Sequence, residues 1–140
     1  MREIKFRAWD KEDKRMYCDD KVIVTFSGFL EEVYVRRNST VDELIDYKLM
    51  QYSGIKDIEG KEIYEGDIVE FLDEEVNYSH CGVEYDEFIN IGKVIFSHDE
   101  LMGWDITNRN MDLEEVWHYR EYIKVIGNIY ENPELLEGRF

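Results

Sequence analysis

The segment GIKDIEGKEIYEGDIVEF, residues 54–71, constrains the fold more than any other, because it sets glycines at 54, 60 and 66 among six acidic side chains. Glycine adopts the left-handed backbone conformation at little cost, which suits it to tight turns. KDIEGKEI reads as a hairpin turning at Glu59–Gly60, and GDIVEFL as a strand that starts after a second turn at Glu65–Gly66. Gly54, Gly60 and Gly66 are therefore expected to shape turns within β structure.

Register removes two ligand-binding readings of the same spacing. A calcium loop of the EF-hand type needs oxygen ligands at its first, third and fifth positions and Gly at its sixth. With Gly60 sixth the first position is Ile55, and with Gly66 sixth it is Lys61. A dinucleotide fingerprint needs glycines two and then three residues apart, and a Walker loop needs Gly-Lys followed by a hydroxyl residue. Here EGKEI puts Glu62 in the hydroxyl position. The surrounding carboxylates would also repel a phosphate.

Most of the remaining chain reads as strands. In EIKFRAWD, Ile4, Phe6 and Ala8 alternate with Lys5, Arg7 and Trp9, the period of a half-buried strand. MYCDDKVIVTFSGFLEEVYVRR carries β-branched and aromatic residues around Gly28, as two strands meeting at a hairpin would. NSTVDELIDYKLMQYSG supports two readings. Thr40 followed by Glu43 has the spacing of a capping box, with Val41, Leu44, Ile45 and Lys48 near helical spacing; equally, Tyr47, Leu49 and Gln51 alternate with Lys48, Met50 and Tyr52 as in a strand.

Residues 73–90 are acidic and irregular, and are expected to form a long surface loop, although VEYDEFINIGKVIFS gains strand character in its second half. GKVIFSHDELMGWDI reads as strand, turn and strand, and MDLEEVWHYREY as a helix or turn. In NPELLEG, Asn132 suits an N-cap, Pro133 a first helical position and Gly138 the residue after the end, so a short closing helix is expected.

With 140 residues, 44% of them hydrophobic and 14% aromatic, the chain can bury one real core. The expected organisation is a single domain over 1–140: N-terminal strands in 1–53, a core in 54–130 that carries the acidic excursion 73–90, and a helical tail in 131–140. The net charge of −16 is uneven, since residues 1–70 hold 12 basic and 17 acidic groups and residues 71–140 hold 5 and 16. No basic residue lies between Lys61 and Lys93. Such a field opposes a nucleic-acid backbone and leaves two roles for the acids: a solvated face, or a docking surface for a basic protein, including imitation of DNA's charge. Asp73, Glu74, Glu75, Asp86 and Glu87 are the acids of that surface.

Catalytic chemistry finds no motif. Cys18 and Cys81 lie 63 residues apart without a CxxC pair, which favours a reducing compartment over a disulfide framework. Cys18, Cys81, His80, His98 and His118 could in principle make a Cys-His pair, but adjacency of His80 and Cys81 along the chain does not orient one toward the other, and a structural or surface role is the expected one. His80, His98, Asp99 and His118 lack the HxH or HExxH spacing that holds a metal. No catalytic, cofactor-binding or metal residue is assigned, and no cofactor. Trp9, Tyr17, Tyr34, Tyr52, Tyr64, Trp104 and Trp117 lack interleaved cations and read as packing residues more than as a platform for bases. MREIKFRAWDKEDKRMY has no apolar stretch of the signal-peptide kind and no run is long enough to cross a membrane, so the expected location is the cytoplasm.

Three blocks, IKFRAWD, LMQYSGIKDIEGKEIYEGDIVEF and VIGNIYENPELLE, together resemble the YopX family of small phage and prophage proteins. The resemblance implies a bacteriophage or prophage origin, a host-cytoplasmic setting and a mainly β fold with an SH3-like barrel core around GDIVEF, which Ile68, Val69 and Phe71 would enter and VIGNIY would close. It brings no catalytic residue. An accessory protein acting through protein partners, with homo-oligomerisation as one form of this, is the expected function. A nucleic-acid-associated adaptor or DNA mimic is the alternative, for which Arg2, Lys5, Arg7, Lys11, Lys14 and Arg15 would have to form a basic face. A hydrolytic enzyme ranks last.

Overall fold

The computed structural model describes residues 4–96, 104–111, 116 and 122–137. The fold is mainly β, as the resemblance implies, with a sheet curled into a half-barrel. Eleven strands are present among the described residues: β1 (Phe6–Asp10), β2 (Arg15–Tyr17), β3 (Val22–Ser27), β4 (Leu30–Arg37), β5 (Thr40–Leu44), β6 (Tyr47–Lys56), β7 (Glu62–Tyr64), β8 (Asp67–Ser79), β9 (Gly82–Phe96), β10 (Trp104–Ile106) and β11 (Ile123–Asn128). They form sheets in the orders β2-β1-β6-β7, β3-β4-β5 and β10-β9-β8-β11. The chain divides into two compact units, Met1–Gly54 and Ile55–Phe140.

In the first unit, β3 and β4 form the hairpin expected around Gly28, which sits at φ +63°. Val33 and Val35 point to one side of β4 and are fully buried, while Arg36 points to the other side and is exposed. With Ala8, Tyr17 and Leu44 they make a small core, flanked by Val22, Val24, Tyr47 and Leu49. Residues 40–44 and 47–56 are strands joined by a bend at 45 and 46, which settles the helix-or-strand ambiguity. Thr40 does not cap a helix: its hydroxyl donates to the Arg37 carbonyl at 3.2 Å, and β5 pairs along β4 from Val33↔Leu44 to Arg37↔Thr40. β1 is buried on both faces and not on one, since Arg7, Ala8, Trp9 and Asp10 are all shielded. Its sequence alternates, and β2 and β6 pair with its two edges.

The second unit packs Ile63, Val69, Phe71, Val94, Trp104, Ile106, Met111, Val116, Ile123 and Val125 into one cluster. Val69 and Phe71 belong to it as alternation predicts. Ile68, also fully buried, points to the opposite face of β8 and lies outside the cluster, between Gly127 and Lys93 in register. Turns at Gly60 (φ +82°) and Gly66 (φ +87°) fall where expected, but Gly54 (φ +88°) lies inside β6 and kinks a strand instead of shaping a turn. Gly92 is required by contact, because a Cβ there would lie 2.0 Å from the Thr107 carbonyl oxygen.

Two further expectations change. The closing helix is a single 3-10 turn, Pro133–Leu136, and the Asn132 side chain makes no cap; its Oδ1 turns back to accept the Asn128 backbone N–H at 3.3 Å. Residues 73–90 form a regular antiparallel hairpin and not an irregular loop. The helix or turn read into MDLEEVWHYREY lies almost entirely outside the described residues, as does the turn between β9 and β10.

Candidate functional site

The hairpin of β8 and β9 keeps one register from Ile68↔Lys93 to Ser79↔Gly82 without a bulge. Side chains alternate between faces of a strand, and residues directly opposite share a face. One face therefore carries Leu72 and Ile89, Glu74 and Glu87, Val76 and Tyr85, Tyr78 and Val83; the other carries Asp73 and Phe88, Glu75 and Asp86, Asn77 and Glu84. Burial falls away along the arm. Asp73 is fully buried, whereas Val76, Tyr78, Val83 and Tyr85 are 42%, 81%, 47% and 63% exposed. The distal half is thus a ribbon whose β-forming residues on one face are left exposed by the described residues.

The acids within the arm oppose one another. Glu74 faces Glu87 on the apolar side, and Glu75 faces Asp86 on the other. Like charges directly opposite are destabilising in a sheet. Partial relief comes from the Asn77 amide, which donates to Asp86 at 2.6 Å. At the tip, His80 and Cys81 are exposed; the Cys81 N–H donates to the Ser79 hydroxyl at 3.3 Å, and Gly82 takes φ +128°.

The base of the arm is fixed by Asp73, which corrects its assignment as a surface acid. Its Oδ1 accepts the N–H groups of Met111 and Glu74, both at 2.8 Å; its Oδ2 accepts the Asn110 N–H at 2.7 Å and the Asn90 amide at 2.9 Å. The carboxylate thereby ties residues up to 38 positions away to β8. Glu74, Glu75, Asp86 and Glu87 remain on the arm surface, Glu74 half-buried.

The acids of the glycine-spaced segment are partly structural as well. Asp57, 7% exposed, accepts Glu59 and Lys61 N–H groups through Oδ1 at 2.9 and 2.8 Å, and the Val125 N–H through Oδ2 at 2.9 Å. Asp67, 1% exposed, accepts the Tyr64 N–H at 2.8 Å. Asp10 does the same for Glu12 and Asp13. Asp10 and Asp57 directly precede a turn and Asp67 directly follows one, places where a side-chain oxygen can take the place of a backbone acceptor.

The other sequence candidates scatter. Trp9, Tyr17, Tyr52, Tyr64 and Trp104 are buried packing residues, as read; Tyr34 is half-buried with its hydroxyl donating to Glu32. Of the six cations proposed as a basic face, Lys5 lies over the Tyr52 ring, Arg7 is buried, Lys11 pairs with Asp46 at 3.7 Å, and Arg15 turns to a different cluster. These four of the six take up separate contacts. His98, Asp99, His118, Trp117 and Arg2 lie outside the described residues. Among the described residues no helix is long and apolar enough to cross a membrane.

No curated protein matches the chain. Among solved structures it is similar to the crystal structure of protein EF1440 from Enterococcus faecalis, at 26% identity and a TM-score of 0.62, over 98% of this chain and 100% of that one. The YopX protein family matches residues 5–137, so the blocks that carried the resemblance sit, all but Ile4, within a match over nearly the whole sequence, and the chain belongs to the YopX family.

Proposed function

We propose that this chain is a non-enzymatic accessory protein of a bacteriophage or prophage, working in the host cytoplasm by binding a basic protein through the β8–β9 arm. The observation that carries this reading is the pairing of exposed Val76, Tyr78, Val83 and Tyr85 with the opposed acids Glu74 and Glu87 on one face. An exposed apolar strip rimmed by charge is the surface pattern of a binding site, and a Lys or Arg placed between facing carboxylates relieves their repulsion. A purely solubilising surface has no use for the apolar strip. The non-enzymatic part rests on the buried carboxylates, since Asp10, Asp57, Asp67 and Asp73 each hold backbone N–H groups.

The test shortens the arm. Residues 75–86 are replaced by Asn-Gly, which joins Glu74 to Glu87 through a two-residue hairpin turn and leaves the core of the unit unchanged. The shortened and intact proteins are compared as baits in extracts of infected host cells, at low and high salt. A partner retained by the intact arm, lost from the shortened one and weakened by salt supports the reading; a set of captured proteins identical for both baits sinks it.

A further inference from the structure

The first unit contains an arrangement opposite in sign to the arm. Arg15 at the start of β2, Lys21 in the short 3-10 turn Asp19–Lys21, and Arg36, Arg37 and Asn38 at the end of β4 line a recess of about 200 Å³ beside Tyr17. Asn38, next after Arg37, takes a left-handed φ of +41°, and both β4 arginines line the recess although they alternate along the strand.

Tyr17 is 3% exposed, and its ring lies 5.3 Å from the Arg15 guanidinium carbon and 5.6 Å from that of Arg37. A buried ring that draws two guanidinium groups to itself fixes them before any ligand arrives. Arg37 is further held by Asp10 and Asp13, both at 3.3 Å, and approaches Asp42 at 3.7 Å, yet its Nε is buried without a hydrogen-bond partner. Among the described residues Arg15, Lys21 and Arg36 make no ion pair. In a chain of net charge −16, four cations converge on one recess, of which Arg37 alone is held by carboxylates, those of Asp10, Asp13 and Asp42.

We propose that this recess binds a phosphoryl dianion carried on a small molecule or on the end of a nucleic-acid strand. Guanidinium forks match the geometry of phosphate oxygens, and several cations favour a dianion over a carboxylate. The recess holds one compact group, while the negative field of the rest of the chain opposes a long polyanion lying across it. The site lies in the first unit and stands independently of the β8–β9 arm.

Calorimetric titration at constant ionic strength tests this with four probes: inorganic phosphate, deoxyadenosine 5′-monophosphate, and a short single strand with either a 5′-phosphate or a 5′-hydroxyl. Intact protein is expected to bind saturably inorganic phosphate and the two phosphomonoester probes. Lys21→Gln and Arg36→Gln, both changes of exposed side chains that leave the fold in place, should each weaken binding about tenfold, and Lys124→Gln, in the other unit, should leave it unchanged. Tighter binding of the 5′-phosphorylated strand than of the mononucleotide identifies a strand end, and equal or weaker binding a small phosphorylated molecule; both support the site. Absence of saturable binding to intact protein overturns the proposal, as does equal binding of the 5′-hydroxyl strand or unchanged binding in Lys21→Gln and Arg36→Gln.

Discussion

Asp73 shows how one side chain can read as a surface acid in sequence and act as a strut in the fold. All four of its partners are donors, so an amide in its place would set one NH2 against N–H groups. Asp73→Ala leaves buried donors without acceptors and is expected to destabilise the protein by about 3 kcal/mol; Asp73→Asn should cost nearly as much, where a surface acid would lose almost nothing. Urea unfolding of both variants measures the difference, and an unperturbed Asp73→Asn would contradict this account. Tyr47 makes a second residue-scale prediction. Burial, and then the hydrogen bond its hydroxyl donates to Glu31 at 2.7 Å, push its pKa from 10.0 up to about 12. The folded state therefore keeps a proton that the unfolded chain releases, so this contribution to stability is complete below about pH 10 and is lost as pH rises toward 12. Comparing urea midpoints of wild type and Tyr47→Phe from neutral to alkaline pH should show a shallower alkaline decline in the variant.

At the scale of elements, the long hairpin carries a conflict between strand formation and charge. Val76, Tyr78, Val83 and Tyr85 favour pairing, while Glu74 against Glu87 and Glu75 against Asp86 oppose it. Glu87→Lys turns one repulsive pair into an attractive one and should stabilise the arm by about 0.5 kcal/mol, read as slower amide exchange along residues 74–87. If the arm binds a basic partner, the same change weakens capture even as it steadies the hairpin. That opposition separates an acid kept for binding from an acid kept for folding. The alternation of these residues was on view in the sequence, but the interleaved carboxylates resemble a solvated loop until a partner strand supplies the cross-strand neighbours. The hairpin at Gly28 was legible because its turn signal and both alternating flanks lie within one short segment. Residues 40–56 were not, because the capping-box spacing of Thr40 and Glu43 is local, whereas pairing with β4 and β1 is not.

For the molecule as a whole, charge is divided far more sharply by the fold than by the halves of the sequence. Met1–Gly54 holds 10 basic and 11 acidic residues, and Ile55–Phe140 holds 7 and 22. The first unit is almost neutral and contains the cationic recess; the second carries nearly all of the net charge and contains the arm. Self-repulsion within the second unit predicts that sodium chloride raises the thermal midpoint from low to moderate ionic strength, because screening reduces repulsion more than it weakens the few exposed ion pairs. Thermal unfolding at several salt concentrations checks this, and a midpoint that falls with salt would show that ion pairs outweigh repulsion.

By itself, the sequence determined the β class, the turns at Gly28, Gly60 and Gly66, the burial of most of its large aromatics, and its family, all of which follow from period-two patterning, glycine conformation and motifs read over short spans. Tertiary structure alone decided which acids are structural, because Asp57 and Asp73 accept N–H groups 68 and 38 positions away. It alone gathered Arg15, Lys21, Arg36 and Arg37 around Tyr17, and it alone set Glu74 against Glu87. Each of these depends on which residues meet across strands, and strand pairing joins parts of the chain whose local patterns carry no record of one another.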